Sequence, residues 1–272
     1  MKKNETAEEV PVAPLKREIE KYTSLASRQL HLLEQTESTN KVAMEMARDE
    51  APAGTLIVAE SQTDGRGRLG KTWLSPPGTG LYFSMILRPG LEPAEMPRLT
   101  IAAGLAVCRA IHLVCKIKPM IKWPNDILLA DRKCGGILTE AELPGKQSPR
   151  IVLGIGLNIS TPVQAFPPDL RKRATSLQDH VAMPVVRGEL LSVMVAEIEK
   201  IIYRLENEDF SAILAEWRKR DATKNREMTW VATSGQTVKG VSLGPDSEGR
   251  LHIRDHAGHV HEILSGDIRL AG

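Results

Sequence analysis

The chain has 272 residues, a net charge of +2 and three cysteines that show no C-x-x-C spacing. This length suffices for one large domain and one small one, while the near-neutral charge excludes the broad basic surface typical of non-specific nucleic-acid binding. The scattered cysteines, the lack of an apolar run of about 18 residues and the charged N-terminus predict a cytoplasmic protein without a membrane segment.

Residues 1–30 predict a partly disordered N-terminal extension. They are rich in charge and carry Pro11 and Pro14, and one helix is expected around 16–29. A helix-turn-helix domain of about 60 residues would not fit into this extension.

From residue 31 onward, strand and helix patterns alternate, which predicts a catalytic domain over 31–223. Ser38 or Thr39 is placed to cap the first helix of this domain. Further helices are expected at 95–114, where nearly all residues are apolar or small, and at 190–205 and 209–220, which are amphipathic. The predicted strands lie at 30–34, 55–61, 81–87, 116–122, 126–131, 135–142 and 150–160.

The character of the sequence changes near residue 224. Short apolar runs separated by turns rich in glycine and aspartate predict a second, all-β domain over 224–272. Its five expected strands lie at 229–233, 237–243, 250–254, 259–264 and 267–270, and their close spacing is typical of a small β-barrel.

The stretch 65–72 reads Gly-Arg-Gly-Arg-Leu-Gly-Lys-Thr and satisfies three phosphate-site patterns. It fits the dinucleotide G-x-G-x-x-G, the P-loop G-x-x-x-x-G-K-[ST] and a third pattern in which arginines alternate with glycines. The first two need a helix at this point, and the following Trp-Leu-Ser-Pro-Pro-Gly-Thr-Gly at 73–80 argues against one. What remains is a glycine-spaced loop whose Arg66 and Arg68 suit carboxylate and phosphate oxygens, with a solvated basic loop as the simpler alternative.

Further polar clusters lie at the predicted strand ends. Residues 37–40 offer small polar groups between a strand and a helix, although an ordinary N-cap explains them as well. Two glycines within 154–158 leave one face of a strand without side chains, which suits a flat ligand. The remaining clusters are 61–63 and the paired strand ends 122–127 and 131–138.

Taken together, these clusters resemble the signature of the biotin–protein ligases. The family pattern is a G-R-G-R-x-G loop followed by K-W-P-N-D, R-K-x-x-G-I-L and G-x-G-x-N, and this sequence carries it at 65–70, 122–126, 132–138 and 154–158. The resemblance extends from about residue 31 to the end. It implies an α+β catalytic domain, in which helices flank a mixed β-sheet of the class II synthetase-like biotin/lipoate ligase fold, and a small C-terminal SH3-like β-barrel.

The resemblance implies a two-step reaction. In the presence of Mg²⁺, the carboxylate of biotin attacks the α-phosphate of ATP and gives biotinyl-5′-AMP and pyrophosphate. A lysine of a biotin carboxyl carrier protein, usually the acetyl-CoA carboxylase subunit, then displaces AMP. Because the substrates supply the attacking groups, this chemistry needs positioning, cationic stabilisation and a loop that excludes water. The resemblance also leaves the oligomeric state undecided between a monomer and a homodimer, since family members can pair through their sheets.

The resemblance also implies roles for individual residues. Lys133, Arg66 and Arg68 are the expected catalytic groups, while Asp126 is expected either to hold Mg²⁺ or to brace the strand turn. The expected biotin contacts are Ser38, Thr39, Asn40, Gln62, Arg66, Gly67, Arg68, Lys133, Gly136, Gly154 and Gly156. The expected ATP contacts are Arg68, Trp73, Asn125, Lys133 and Asn158.

Three alternative functions are weaker. A lipoate–protein ligase shares the fold and the acyl-adenylate chemistry but lacks the Gly-Arg-Gly-Arg loop. A DNA-binding repressor is an alternative because some family members are bifunctional, but about 30 residues before the first strand are too few for a winged helix. A P-loop NTPase would turn over ATP without biotin.

Two further features are expected to be structural and not functional. Cys134 is expected to be a thiol packed in a strand. A histidine cluster in a C-terminal hairpin is expected to hold no metal, and it consists of His252, His256, His259 and His261.

Overall fold

A seven-stranded mixed β-sheet forms the centre of the protein. The computed structural model describes residues 15–143, 149–231, 237–264 and 266–270. The strands of the central sheet are β1 (Leu30–Thr36), β2 (Leu56–Gln62), β3 (Gly80–Leu87), β4 (Met120–Lys122), β5 (Asp126–Leu129), β6 (Arg132–Glu142) and β7 (Arg150–Asn158). Their order is β1-β2-β3-β7-β6-β5-β4, and the β1–β2 pair is parallel while the other neighbours are antiparallel.

Helices cover both faces of this sheet, as the alternation of side chains along β7 requires. Leu153, Ile155 and Leu157 point into the main core, whereas Val152 packs in a smaller apolar cluster on the opposite face. The helices are α1 (Leu15–Ile19), α2 (Thr23–Ala26), α3 (Thr39–Arg48), α4 (Met96–Cys115), α5 (Arg187–Asn207) and α6 (Phe210–Arg218). Helices α4, α5 and α6 contribute to the main core, and α3 forms the smaller cluster with β2, β3 and β7.

The buried helix expected at 95–114 is confirmed as α4. Among the described helices it is the one long and apolar enough to cross a membrane, but most of its apolar side chains are packed in the protein core. Helix α4 ends at Cys115, and Lys116 follows with a left-handed φ of 58°. The next strand therefore begins only at Met120, whereas the sequence pattern predicts a strand from residue 116.

The N-terminal extension differs from its prediction where it is described. Residues 16–29 do not form one helix, since α1 and α2 are separate short helices. Leu15, Ile19 and Leu25 are all buried in the main core, so this part of the extension belongs to the packing of the catalytic domain. The disorder predicted for residues 1–14 lies outside the described residues.

The C-terminal unit, residues 227–270, is a five-stranded antiparallel sheet. Its strands are β8 (Glu227–Val231), β9 (Thr237–Pro245), β10 (Leu251–Asp255), β11 (Val260–Ile263) and β12 (Asp267–Leu270). They are ordered β11-β10-β9-β8-β12, as expected for an SH3-like domain. The barrel is not closed in the described part of this unit, because no pairing joins β11 to β12 there.

Candidate functional site

The glycines of β7 mark the candidate site on the α3 face of the sheet. Between Val152 and the strand end, Gly154 and Gly156 carry no side chain on this face, as the sequence predicts. The face is nevertheless covered, which differs from the expected surface open to a flat ligand. A Cβ on Gly154 would lie 1.9 Å from Oδ1 of Asn40, and one on Gly156 would lie 2.4 Å from Nε1 of Trp73. Asn40 therefore marks one end of the site, over Gly154, and Trp73 marks the other end, over Gly156, two residues further along β7.

At the Asn40 end, four side chains form a continuous hydrogen-bonded network, here called the polar strip (Gln62, Thr39, Ser84 and Asn40). The Gln62 Oε1 accepts from the backbone N–H of Thr39 at 2.8 Å and from its hydroxyl at 3.2 Å. The buried Ser84 hydroxyl lies 2.8 Å from Thr39 Oγ1 and 2.6 Å from Asn40 Oδ1. The other end of Gln62 donates to Ser75 Oγ at 2.8 Å. The strip is a preorganised set of donors and acceptors in a buried place.

Sequence reasoning misses Ser84, a member of the polar strip, and Glu140, which is bonded to the strip. Ser84 stands inside an apolar strand, and its hydroxyl is fully buried between two residues that the sequence does identify. Glu140 accepts from Asn40 Nδ2 at 2.7 Å and so fixes the orientation of that amide. A polar residue within the otherwise apolar β3 is the signal that could reveal Ser84, whereas Glu140 has no local signal.

At the Trp73 end, a lysine cluster formed by Lys133, Asp126 and Lys122 supplies positive charge. Lys133 Nζ lies 2.5 Å from Asp126 Oδ1, and Lys122 Nζ lies 3.6 Å from Oδ2 of the same carboxylate. Burial alone would raise the pKa of Asp126, but the two ammonium groups outweigh burial and hold this pKa below its usual range. Lys133 also lies over the Trp73 ring, 5.3 Å from its centroid.

Residues 65–72, the arginine loop, form a tight hairpin between β2 and β3 and not the start of an α-helix. Trp73 N–H donates to the Gly65 carbonyl at 2.7 Å, and Gly67 N–H donates to the Lys71 carbonyl at 2.6 Å. Glycine is required at position 65, where a Cβ would lie 2.3 Å from the Trp73 carbonyl oxygen. A cavity of about 520 Å³ is lined by this loop together with Asp64, Leu138 and Glu140.

The two arginines of this loop differ in their surroundings. Arg68 Nη1 donates to Asn125 Oδ1 at 3.4 Å and thus reaches across to the strand turn before Asp126. Arg66 is 45% exposed, and its Nε lies 4.0 Å from Asp64 Oδ2. Arg68 therefore joins the arginine loop to Asn125, next to the lysine cluster, whereas Arg66 is partly exposed and also lines the cavity.

The remaining predicted residues lie around these two ends. Gly136 lies below Trp73 and Lys133, with a hypothetical Cβ 3.3 Å from the indole. Ser38 is buried at the start of α3, but its side chain makes no capping bond in the described structure. Asn158 is also buried, and its Nδ2 donates to the Thr175 carbonyl at 3.1 Å. The roles of these residues toward biotin and ATP stay predictions.

The described residues contain no group of three His, Cys, Asp or Glu side chains arranged to hold a metal ion. In the C-terminal hairpin, His252 pairs with Asp246 at 2.8 Å and His261 pairs with Asp255 at 2.7 Å. Asp126 is engaged by two lysines, and its role toward Mg²⁺ stays a prediction.

The site is rich in positioning groups and poor in nucleophiles. Burial raises the pKa of the Cys134 thiol well above its usual value, which keeps it protonated and unreactive. A polar strip next to a cationic end, without an activated side chain between them, suits an enzyme that activates the substrate's own carboxylate with a nucleotide. The fold and site therefore define the class of carboxylate-activating ligases.

Comparison with known proteins identifies the family within that class. Residues 32–158 match the Biotin/lipoate A/B protein ligase family. The chain is 36% identical to the Bacillus subtilis "Bifunctional ligase/repressor BirA" over 86% of its own length and 71% of the relative's. It is 32% identical to the Mycobacterium tuberculosis "Biotin--[acetyl-CoA-carboxylase] ligase", with 89% and 88% of the two chains covered. The chain belongs to the biotin/lipoate protein ligase family.

A solved structure supports the same assignment at the level of the fold. The biotin protein ligase from Aquifex aeolicus in complex with biotin and ATP superimposes with a TM-score of 0.77 at 28% identity. The match covers 89% of this chain and 99% of that one, so it includes both the central sheet and the C-terminal unit.

Proposed function

We propose that this protein is an ATP-dependent biotin–protein ligase. The observation that carries the proposal is the placement of the polar strip and the lysine cluster on one face of the sheet, at Gly154 and Gly156. A ureido ring has one carbonyl and two N–H groups and needs matched partners, which the polar strip offers. A carboxylate and an α-phosphate need positive charge, which Lys133 and Arg68 offer.

The reaction divides between these two ends. The biotin carboxylate oxygen forms a bond to the α-phosphorus while pyrophosphate leaves, and Lys133 stabilises the charge that develops on the phosphate. The lysine amine of the carrier then attacks the acyl carbon, loses a proton and displaces AMP. Asp126 holds Lys133 in place, and Trp73 is the flat apolar group next to which adenine would fit.

Mg²⁺ enters this scheme with the nucleotide. Because Asp126 pairs with two ammonium groups, we propose that it braces Lys133 and that Mg²⁺ is bound mainly by the phosphates of ATP.

The proposed partner is a biotin carboxyl carrier protein, as the name of the Mycobacterium tuberculosis relative suggests. DNA binding is not part of the proposal, because the net charge of +2 offers no broad basic field. A specific, salt-resistant gel shift with the protein's own promoter DNA would contradict this expectation. A homodimer stays a prediction that sedimentation of the protein with and without biotin and ATP would test.

The function is tested by supplying ATP and Mg²⁺ with either biotin or lipoate. We expect biotinyl-5′-AMP and pyrophosphate to form with biotin, and biotin to be transferred when a carrier protein is added. Lipoyl-AMP formation with no reaction of biotin would favour the lipoate ligase. ATP hydrolysis that is independent of both acids would favour a nucleotide hydrolase.

A further inference from the structure

We infer that Trp123 is a positioning residue through which the C-terminal unit holds the ATP-binding end of the site. This inference rests on the proposed function. The Trp123 indole is only 2% exposed, and its Nε1 donates to the Gly249 carbonyl at 3.0 Å. Gly249 lies between β9 and β10, so this buried hydrogen bond joins the C-terminal unit to the catalytic domain across 126 positions of sequence.

The turn that carries Gly249 is held together by hydrogen bonds to one side chain. The Asp246 side chain accepts from the backbone N–H groups of Glu248 and Arg250, both at 2.9 Å, and from the Arg250 guanidinium at 2.8 Å. Gly249 has a left-handed φ of 81°, and a Cβ at this position would lie 3.1 Å from Ile101 of α4. The carbonyl that receives the indole N–H is thus presented by a fixed turn that rests on the catalytic domain.

The backbone next to Trp123 is held by the chain that leads into the C-terminal unit. Ile121 N–H donates to the Arg220 carbonyl at 2.7 Å, and Ala222 N–H donates to the Ile121 carbonyl at 2.9 Å. The segment 121–123 is therefore fixed from two directions by residues that follow α6.

The residues after Trp123 face the site. Asn125 accepts from Arg68, and Asp126 pairs with Lys133. The hydrogen bond from Trp123 to Gly249 therefore helps to position Asn125 and Asp126. Through these two residues it also helps to position the arginine loop and the lysine cluster. Among the described residues, no hydrogen bond or ion pair joins the polar strip to residues 121–126, so the effect should fall on ATP and not on biotin.

The test replaces Trp123 by phenylalanine in the full chain. Trp123→Phe keeps an aromatic ring, removes the N–H donor and leaves the Gly249 carbonyl buried without it. We expect the KM for ATP in biotin-dependent pyrophosphate exchange to rise about 5- to 10-fold, the change expected for weakening a buried hydrogen bond. The Kd for biotin, measured by calorimetry without ATP, should not change.

Two further variants sharpen the test. Gly249→Ala disturbs the same contact from the C-terminal unit and should raise the KM for ATP in the same way. Trp217→Phe is the matched control, because Trp217 is fully buried but its Nε1 has no hydrogen-bond partner among the described residues. This control makes the same tryptophan-to-phenylalanine change at another buried indole and should leave the KM for ATP at the wild-type value.

A readout that needs no activity separates this inference from the proposed function. Amide hydrogen exchange at 121–126 should be faster in Trp123→Phe and Gly249→Ala than in the wild type and in Trp217→Phe. Lower melting temperatures with unchanged exchange and unchanged KM for ATP would overturn the inference, since the contact would then be purely structural. If the wild type activates lipoate, the same kinetic comparison is made with lipoate. If it activates neither acid, the proposed function fails and the exchange comparison alone decides the inference.

Discussion

A methyl group added at Gly154 and one added at Gly156 should weaken the binding of different substrates. Gly154→Ala would push against Asn40, a member of the polar strip, whereas Gly156→Ala would push against the Trp73 indole. Overpacking of this kind costs about 1–3 kcal/mol, or roughly 5- to 150-fold in affinity if the whole cost falls on ligand binding. We therefore expect Gly154→Ala to weaken biotin binding and Gly156→Ala to raise the KM for ATP.

Calorimetry with biotin and pyrophosphate exchange with varied ATP measure the two effects separately. Equal losses for both substrates in both variants would contradict the division of the site into two ends. A control at Gly90, where a Cβ would meet no atom within 4 Å, should leave both affinities unchanged.

Removal of the Lys133 ammonium should affect adenylate formation more than binding. Lys133→Ala is expected to slow adenylate formation by about 10²- to 10³-fold, the loss typical for one group that stabilises developing charge. Biotin should still bind, because the polar strip is formed by other residues. Pyrophosphate release from Lys133→Ala at nearly the wild-type rate would show that the lysine is not catalytic.

At the level of elements, the arginine loop is the feature whose movement matters most. Arg68 joins it to Asn125, so Arg68→Gly should loosen the loop and expose the adenylate to water. We expect faster release or hydrolysis of bound biotinyl-5′-AMP, measured with radiolabelled biotin by filtration and thin-layer chromatography. Arg66→Gly is a useful comparison, because the Arg66 side chain is 45% exposed and is paired with Asp64 at 4.0 Å, so its loss should have a smaller effect on how the loop is held.

Sequence patterns predict the elements of this protein better than their assembly. The apolar character of 95–114 predicts the buried helix α4, and the prolines after the arginine loop predict that no α-helix begins there, where only one short 3-10 turn is found at Arg68–Gly70. Neither pattern reveals that Trp73 covers Gly156, because this contact joins segments far apart in the chain. The Lys133–Asp126 pair is also not predicted, because it depends on the register of β5 and β6, which shifts between Ile127 and Leu128. Residues 15–26 look like a frayed extension for the same reason: their apolar side chains find partners only in the assembled core.

At the scale of the whole molecule, the junction between the catalytic domain and the C-terminal unit contains a buried acid. Asp221 is 8% exposed; its Oδ1 accepts from the backbone and hydroxyl of Thr223, but Oδ2 has no partner among the described residues. Burial raises the pKa of Asp221, and the hydrogen bonds from Thr223 only partly oppose this shift.

The sign of the resulting pH dependence follows from proton binding. The folded state holds the Asp221 proton more tightly than the unfolded chain, so the free energy of unfolding falls as pH rises through the raised pKa. Asp221→Asn keeps the acceptor for Thr223 and removes the buried charge. We therefore expect this variant to melt at a higher temperature than the wild type at about pH 8, with a difference that shrinks toward about pH 4.

Asp255, within the C-terminal unit, supplies the opposite case. The hydrogen bond from His261 lowers the pKa of Asp255 to about 2, so its ionised form stabilises the folded state above the usual carboxyl range and this contribution is lost as pH falls. Asp255→Asn should therefore lower the melting temperature at neutral pH, where Asp221→Asn raises it. Thermal unfolding of both variants across pH checks the pair. A melting-temperature difference for Asp221→Asn that is the same at all pH values would mean that packing at the junction, and not ionisation, sets its stability.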